Sequence, residues 1–137
     1  MPDPVPSAAS YTGGCLCGAV RLECRTEPYR VGVCHCLDCR KHSGSVFSIL
    51  AIFPATSVTV TGTTAQYNDR HFCPACGSSL FGTIGDEIDV PVGCFDEPNR
   101  VRPTYELWTR RREDWLPEFD VARRHESDRP GTGRTEP

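Results

Sequence analysis

The chain has 137 residues, among them twelve Gly, twelve Pro and nine Cys, and its formal net charge is −3. This length favours one domain of ordinary size, and the Gly and Pro content argues against long helices. The acidic balance weighs against nucleic-acid binding, which usually requires a basic surface, and no apolar stretch approaches the roughly 18 residues of a membrane-spanning helix.

Both ends of the chain are predicted to be flexible tails. Residues 1–10 are rich in Pro, Ala and Ser, and the C-terminal stretch is polar without apolar periodicity. We therefore predict a flexible N-terminal tail over residues 1–10, a folded domain over 11–121 and a flexible C-terminal tail over 122–137. The N-terminus lacks the features of a secretory signal, so we expect a cytoplasmic protein whose thiols stay reduced.

Short strands dominate the predicted structure. In residues 19–24 apolar and charged side chains alternate, as expected of a half-buried strand. The apolar run 47–53, which ends at Pro54, predicts a buried strand. Five more short strands are predicted at 58–61, 64–67, 79–82, 88–92 and 105–109. Turn residues separate several of them, at Gly62, at Asn68-Asp69 and at Gly85-Asp86.

Helix is predicted in two places only. Residues 37–42 form one candidate, which Gly44 would stop, and residues 113–119 form another, which Pro117 interrupts. The fold class predicted from these elements is mainly β.

Seven of the nine cysteines fall into three tight groups. Their spacings are C-x-C, C-x-C-x-x-C and C-x-x-C, formed by Cys15 and Cys17, then Cys34, Cys36 and Cys39, then Cys73 and Cys76. In a chain expected to stay reduced, such clusters are more typical of metal ligands than of disulfides. The first and third groups together supply the four thiolates of a tetrahedral structural zinc. The middle group supplies three, which leaves the fourth position for water, a nearby side chain or an incoming ligand.

Several other interpretations of the cysteines stay open. The second zinc could be completed by His42 or His71, which would make both sites structural, and a disulfide framework is a further alternative. Cys24 and Cys94 lie outside the three groups and are interpreted as small buried apolar residues.

The residues around the middle group suggest supporting roles. Arg40, Lys41 and His42 directly follow Cys39, where they could offset thiolate charge and hold an anionic ligand. His35 is interpreted as an outer hydrogen-bond donor or a surface residue, and Asp38 as a cap of the short helix.

Three motifs resemble a known family. They are T-G-G-C-L-C-G-A-V over residues 12–20, C-H-C-L-D-C-R over 34–40 with Ser43-Gly44, and F-C-P-A-C-G-S over 72–78. They look like the signature of the glutathione-dependent formaldehyde-activating enzyme family, which also includes centromere protein V. The similarity runs from about residue 11 to residue 116.

This resemblance implies a small β-tent fold of short antiparallel strands with zinc knuckles and two zinc ions per chain. It implies a structural zinc on the four cysteines of the first and third groups. A second zinc near the surface, where glutathione is thought to act, would be held by Cys34, Cys36 and Cys39. The implied reaction is the reversible addition of glutathione to formaldehyde, which is classed with the carbon–sulfur lyases.

We therefore predict an enzyme that adds a small thiol to formaldehyde or a related carbonyl compound, without nucleic-acid or membrane partners. The thiolate at the second zinc would attack the carbonyl carbon, and the zinc, Arg40 or Lys41 would stabilise the developing oxyanion. His35 and His42 are the nearest candidate proton donors in the sequence. The competing hypothesis is a non-catalytic scaffold or binding module in which both zinc ions are structural.

Overall fold

The computed structural model describes residues 10–131 and 133–136. Within them the chain forms eleven short strands, one α-helix and three short 3-10 helices. The strands are β1 (Tyr11–Gly14), β2 (Arg21–Cys24), β3 (Arg30–Cys34), β4 (Ser48–Pro54), β5 (Val58–Thr61), β6 (Ala65–Tyr67), β7 (Arg70–Phe72), β8 (Ser79–Ile84), β9 (Glu87–Pro91), β10 (Tyr105–Leu107) and β11 (Arg123–Arg124). Helix α1 spans Leu37–Ser43, and the 3-10 helices span Ala55–Ser57, Val92–Cys94 and Thr109–Arg111. The predicted mainly β class is confirmed.

The strands form two sheets. One has three strands in the order β1-β2-β5, and the other has eight in the order β11-β10-β3-β4-β9-β8-β7-β6. Most neighbours are antiparallel, but β10 runs parallel to both β3 and β11. Strands β3 and β10 are separated by a long stretch of chain, so no hairpin turn imposes an antiparallel direction on them.

The two faces of the large sheet have different surroundings because successive side chains of a strand point to opposite sides. On one face Val31, Ala51 and Val90 pack into the main apolar core with Phe53, which is fully buried. On the other face the alternate residues of β3, β4 and β9 line an open cavity. The sheet therefore separates the core from a concave surface.

Helix α1 is confirmed, and its ends have clear physical causes. Cys36 is the N-cap, and its Sγ accepts a hydrogen bond from the backbone N–H of Cys39. Asp38 lies in the first turn instead of capping the helix. At the other end Gly44 adopts a φ of 73°, and its N–H donates to the carbonyl of Arg40. This left-handed position favours glycine.

The helix predicted over residues 113–119 is wrong. In the structure this stretch contains turns and irregular backbone. The N–H of Leu116 donates a hydrogen bond to the carbonyl of Glu113. Pro117 has no N–H to donate to a helix. Instead, the guanidinium of Arg112 donates to the carbonyls of Leu116 and Pro117.

The described part of the C-terminal segment contacts the domain at several points. The N–H of His125 donates to the carbonyl of Glu106, and the N–H of Trp108 donates to the carbonyl of Ser127. Nε2 of His125 lies 2.8 Å from Oε1 of Glu136, which is buried. The flexibility expected over 122–137 stays a prediction. The flexible tail expected over 1–10 lies, apart from Ser10, outside the described residues.

The helices in the described part of the chain are all too short or too polar to cross a membrane.

Candidate metal centres

The cysteines of the first and third groups come together in space. The sulfurs of this quartet (Cys15, Cys17, Cys73 and Cys76) all lie within 4.8 Å of one another. The Sγ atom of Cys17 is 3.6 Å from that of Cys15 and 3.7 Å from that of Cys73. A tetrahedral zinc with Zn–S bonds of about 2.3 Å requires sulfurs about 3.8 Å apart. The donor set therefore fits a four-coordinate thiolate metal.

Backbone hydrogen bonds hold the two loops of the quartet in place. In the second loop the N–H of Cys73 donates to the carbonyl of Ser78, and the N–H of Gly77 donates to the carbonyl of Cys73. Gly77 adopts a φ of 79°, which a residue with a Cβ rarely adopts. The N–H of Leu16 donates to the Ser78 hydroxyl at 2.9 Å and links the two loops. The Ser78 hydroxyl also lowers the pKa of Cys76 to about 5.

The middle group forms a separate cluster, the trio of Cys34, Cys36 and Cys39, whose sulfurs lie within 4.8 Å of one another. Cys34 ends β3, Cys36 caps α1, and Cys39 lies in the first turn of that helix. Cys34 and Cys39 are buried, whereas Cys36 is partly exposed. Three donors of this kind fit one metal ion and leave a further coordination position.

Neither histidine proposed as a fourth ligand belongs to the trio. Among the described residues, the His, Cys, Asp and Glu ligand atoms grouped at this site are the three cysteine sulfurs alone. Nε2 of His42 lies 2.8 Å from the hydroxyl of Ser79, and Nδ1 of His71 lies 3.1 Å from that of Thr64. The His71 ring also stacks on Phe81 at a centroid distance of 4.3 Å.

The trio lies in the wall of a cavity of about 550 Å³. Apolar side chains from the large sheet, including Leu50 and Ile52, form part of the wall. Gly32 lies below the ring of Tyr105, and a Cβ at this glycine would be 2.3 Å from a ring carbon. The absence of a side chain at Gly32 therefore lets the tyrosine ring lie across β3.

The C-terminal segment provides another part of the cavity wall. Its contributing residues are Asp128, Arg129, Gly131 and Arg134. The Arg134 guanidinium donates to the carboxylates of Asp86 and Glu87, and its backbone carbonyl accepts from Arg30. This wall was not foreseen, because the polar composition of the segment contains no signal of where it packs.

Arg70 is a cation beside Cys39 that was not predicted, whereas the predicted Arg40 and Lys41 are absent from the wall of the cavity. The guanidinium of Arg40 donates to Glu113 at 2.7 Å and to the carbonyl of Arg111, and Arg40 is not part of the cavity wall. Arg70, the first residue of β7, lines the cavity together with Cys39. A hydrogen bond donated by the Cys34 thiol, helped by the Arg70 guanidinium, lowers the pKa of Cys39 to about 6. The local spacing of the cysteines gives no signal for Arg70, because strand pairing brings it to the site.

His35 lies behind the trio and is not a surface residue. It is fully buried, and its Nε2 is 2.9 Å from Oε2 of the equally buried Glu106. Arg112 and Arg124 each place Nε 3.7 Å from a Glu106 oxygen. Burial lowers the pKa of His35, although Glu106 opposes the shift. Because His35 separates Cys34 from Cys36 in the chain, this pair anchors the loop that presents both sulfurs.

The two cysteines outside the clusters differ in environment. Cys24 is 1% exposed within the apolar core, as predicted. Cys94 is only partly buried, and its thiol donates to the backbone carbonyl of Ser79 at 2.8 Å.

Known proteins with similar sequences carry names that agree with the predicted chemistry. A protein of Penicillium rubens named "Putative glutathione-dependent formaldehyde-activating enzyme" is 33% identical over 104 residues, which cover 66% of this chain and 53% of that protein. An uncharacterized lyase of Schizosaccharomyces pombe is 32% identical over 76 residues, covering 52% of this chain and 56% of the relative. The chain thus spans about half the length of the curated relatives it matches.

A crystal structure of a Rhodobacter sphaeroides protein is similar in fold. The TM-score is 0.51 at 24% sequence identity, and the match covers 64% of this chain and 90% of the other. Residues 10–111, more than half of the chain, match the family described as "Glutathione-dependent formaldehyde-activating enzyme". The chain belongs to this family, as its three motifs predicted.

Proposed function

We propose that the chain is a zinc-dependent enzyme that adds a small thiol such as glutathione to formaldehyde or a related small carbonyl compound. The observation that supports this most directly is the position of the trio, whose three sulfurs lie in the wall of a cavity of about 550 Å³. A purely structural site would need a fourth protein ligand, which the described residues do not place at the trio. Family membership supports the same chemistry.

The two cysteine clusters would have different tasks. The quartet would hold a structural zinc that ties the loop after β1 to the loop between β7 and β8. Cys34, Cys36 and Cys39 would hold the second zinc. When bound there, zinc would lower the pKa of a coordinated substrate thiol and favour the nucleophilic thiolate.

The residues of the cavity would bind and orient the two reactants. Leu50 and Ile52 offer apolar surface to the carbon chain of the thiol and exclude water from it. Arg70 provides a fixed positive charge beside Cys39, where the carbonyl oxygen would become negative as the S–C bond forms. In the forward direction this gives a hydroxymethyl thioether, and the reverse direction is a carbon–sulfur lyase reaction.

The test compares thiol binding and turnover in two variants, each with one cysteine replaced by serine. Cys36→Ser alters the most exposed member of the trio, whereas Cys94→Ser alters a cysteine outside both clusters. We expect glutathione to change the visible absorption of the cobalt-substituted wild type and of Cys94→Ser but not of Cys36→Ser. NMR exchange spectroscopy should show catalysed formation of the glutathione–formaldehyde adduct in the same two proteins.

Two results would contradict the proposal. One is a folded Cys36→Ser variant with full catalysis of adduct formation. The other is a wild-type protein whose cobalt spectrum does not respond to glutathione, which would favour a scaffold with two structural metals.

A further inference from the structure

Three residues form one row across the large sheet beside the trio. Arg70 of β7 pairs with Gly82 of β8, and Gly82 pairs with Asp89 of β9. Neighbouring strands lie about 4.8 Å apart, so side chains on either side of a glycine can approach each other above it. A Cβ at Gly82 would be 2.8 Å from Oδ2 and 2.9 Å from Oδ1 of Asp89. The carboxyl group of Asp89 therefore lies over Gly82.

This row faces the candidate reaction site. Arg70 and Asp89 line the cavity of about 550 Å³ together with Cys36 and Cys39. A second, smaller cavity is lined by Cys39, Arg70, Gly82 and Asp89 as well. The structure thus brings one carboxyl group and one guanidinium group to the same side of the trio.

Asp89 is a partly buried carboxyl group with a raised pKa. Burial raises the pKa of Asp89, and the nearby Arg70 guanidinium and a hydrogen bond from Gly82 only partly offset this. A carboxyl group whose pKa is moved towards neutrality is better suited to general acid–base catalysis than an ordinary surface aspartate.

The two histidines predicted as proton donors are less well placed. His35 is fully buried against Glu106, and it is not part of the wall of the large cavity. His42 lines only the smaller cavities, and its Nε2 lies 2.8 Å from the Ser79 hydroxyl. Thiol addition still requires that a proton move from the sulfur to the carbonyl oxygen.

We propose that Asp89 is the proton shuttle of the thiol-addition reaction and that Arg70 orients the carbonyl oxygen, an inference that rests on the proposed function. The Asp89 carboxylate accepts the S–H proton of the thiol. The thiolate sulfur then attacks the carbonyl carbon, an S–C bond forms, and the π electron pair of the carbonyl moves to oxygen. Asp89 returns its proton to that oxygen and is again a carboxylate, so RSH and H₂C=O give RSCH₂OH without any other reactant.

Other titratable and charged groups share the two cavities with Asp89. They are Arg30 and Cys34 from β3, Arg70 from β7, Glu87 from the same strand as Asp89, Tyr105 from β10, Cys36 at the N-cap of α1, Cys39 and His42 from α1, and Asp86, Asp128, Arg129 and Arg134 from the turn and the C-terminal segment. Both Arg30 and Arg70 favour the charged form of Asp89, but the effect of burial exceeds theirs. His42 is the principal rival for the shuttle role, because it shares the smaller cavity with Cys39 and Asp89.

The experiment compares Asp89→Asn with Asp114→Asn, a control at an exposed loop position away from both cavities. Calorimetric titration with glutathione in two buffers of different ionisation enthalpy gives the number of protons released per thiol bound. We expect Asp89→Asn to bind glutathione within a few-fold of wild type but to release about one additional proton. Its catalysed rate of adduct formation should fall roughly 10²- to 10⁴-fold, whereas Asp114→Asn should match wild type in both measurements.

The outcomes separate the shuttle from the proposed function. Unchanged proton release and a rate within twofold of wild type in Asp89→Asn would overturn the shuttle and leave the function intact. A large loss of rate in His42→Gln, with Asp89→Asn still active, would assign the proton transfer to His42 and would also overturn the proposal that Asp89 is the shuttle. A wild type that neither binds glutathione nor forms the adduct would refute both proposals.

Discussion

Replacing Glu106 by alanine should destabilise the domain and loosen the trio. Glu106 and His35 are both fully buried, and their nearest side-chain atoms are 2.9 Å apart. Removing one partner of such a buried pair typically costs 3–5 kcal/mol, because the remaining polar group loses its compensation. Nδ1 of His35 has no hydrogen-bond partner among the described residues, so the alanine variant would leave the ring without a polar contact.

The expected loss lies at the lower end of that range. The two arginines near Glu106 are 3.7 Å away, and the side chain of Arg124 is 43% exposed, so water can compensate for part of their lost attraction. We therefore expect the free energy of unfolding to fall by about 3 kcal/mol. For a chain of this length, that corresponds to a Tm about 10 °C lower.

The measurement is thermal unfolding at fixed free zinc, together with zinc content per chain. Glu97→Ala provides a matched control, because Glu97 is 73% exposed and pairs with Arg100 at 3.6 Å. The free energy of unfolding of Glu97→Ala should fall by less than about 0.5 kcal/mol. A Glu106→Ala variant with the Tm of wild type and two bound zinc ions would refute the view that the buried pair anchors the Cys34–Cys36 loop.

Three further predictions concern the clusters, Asp89 and the cavity. Cys73→Ser should leave the chain largely unfolded, since structural zinc sites contribute about 10–16 kcal/mol in apparent binding energy. Cys36→Ser should instead stay folded with one zinc. Circular dichroism measures the folding of each variant, and metal analysis measures its zinc content. Asp89→Asn should have an equal or higher Tm at pH 7. The raised pKa means that the folded state holds its proton more strongly than the unfolded state, so ionised Asp89 lowers stability above the folded-state pKa. This gain should vanish below pH 4, and a lower Tm at pH 7 would contradict it. Gly32→Ala would place a Cβ 2.3 Å from the Tyr105 ring, so denaturant unfolding should show a loss of about 1–3 kcal/mol, and an unchanged midpoint would disprove this contact.

The features that could be predicted from sequence are those encoded over a few residues. The cysteine spacings predict three groups because ligands two or three positions apart can reach the same ion. Helix α1 is predictable because Gly44 supplies the left-handed residue that ends it. The helix predicted over 113–119 does not form, because the apolar residues of this segment do not outweigh the helix-breaking effect of Pro117.

The features that sequence did not reveal depend on pairing between distant strands. The parallel alignment of β10 with β3 places Glu106 opposite Val33, close to His35. The row from Arg70 through Gly82 to Asp89 likewise depends on the registers of three strands. Each of these residues has an ordinary local context, so its role becomes visible only when the sheet is assembled.

The two parts of the cavity wall differ in their relation to the family. The trio, Arg70 and Asp89 all lie within residues 10–111, the region that matches the family. The wall formed by Arg129 and Arg134 lies beyond that region. The Arg134 guanidinium donates hydrogen bonds to the carboxylates of Asp86 and Glu87 at the turn between β8 and β9, so ion pairs attach this outer wall to the family region. If the proposed chemistry is correct, the bond-making groups belong to the family region, whereas the limit on the size of the thiol is set in part by residues outside it.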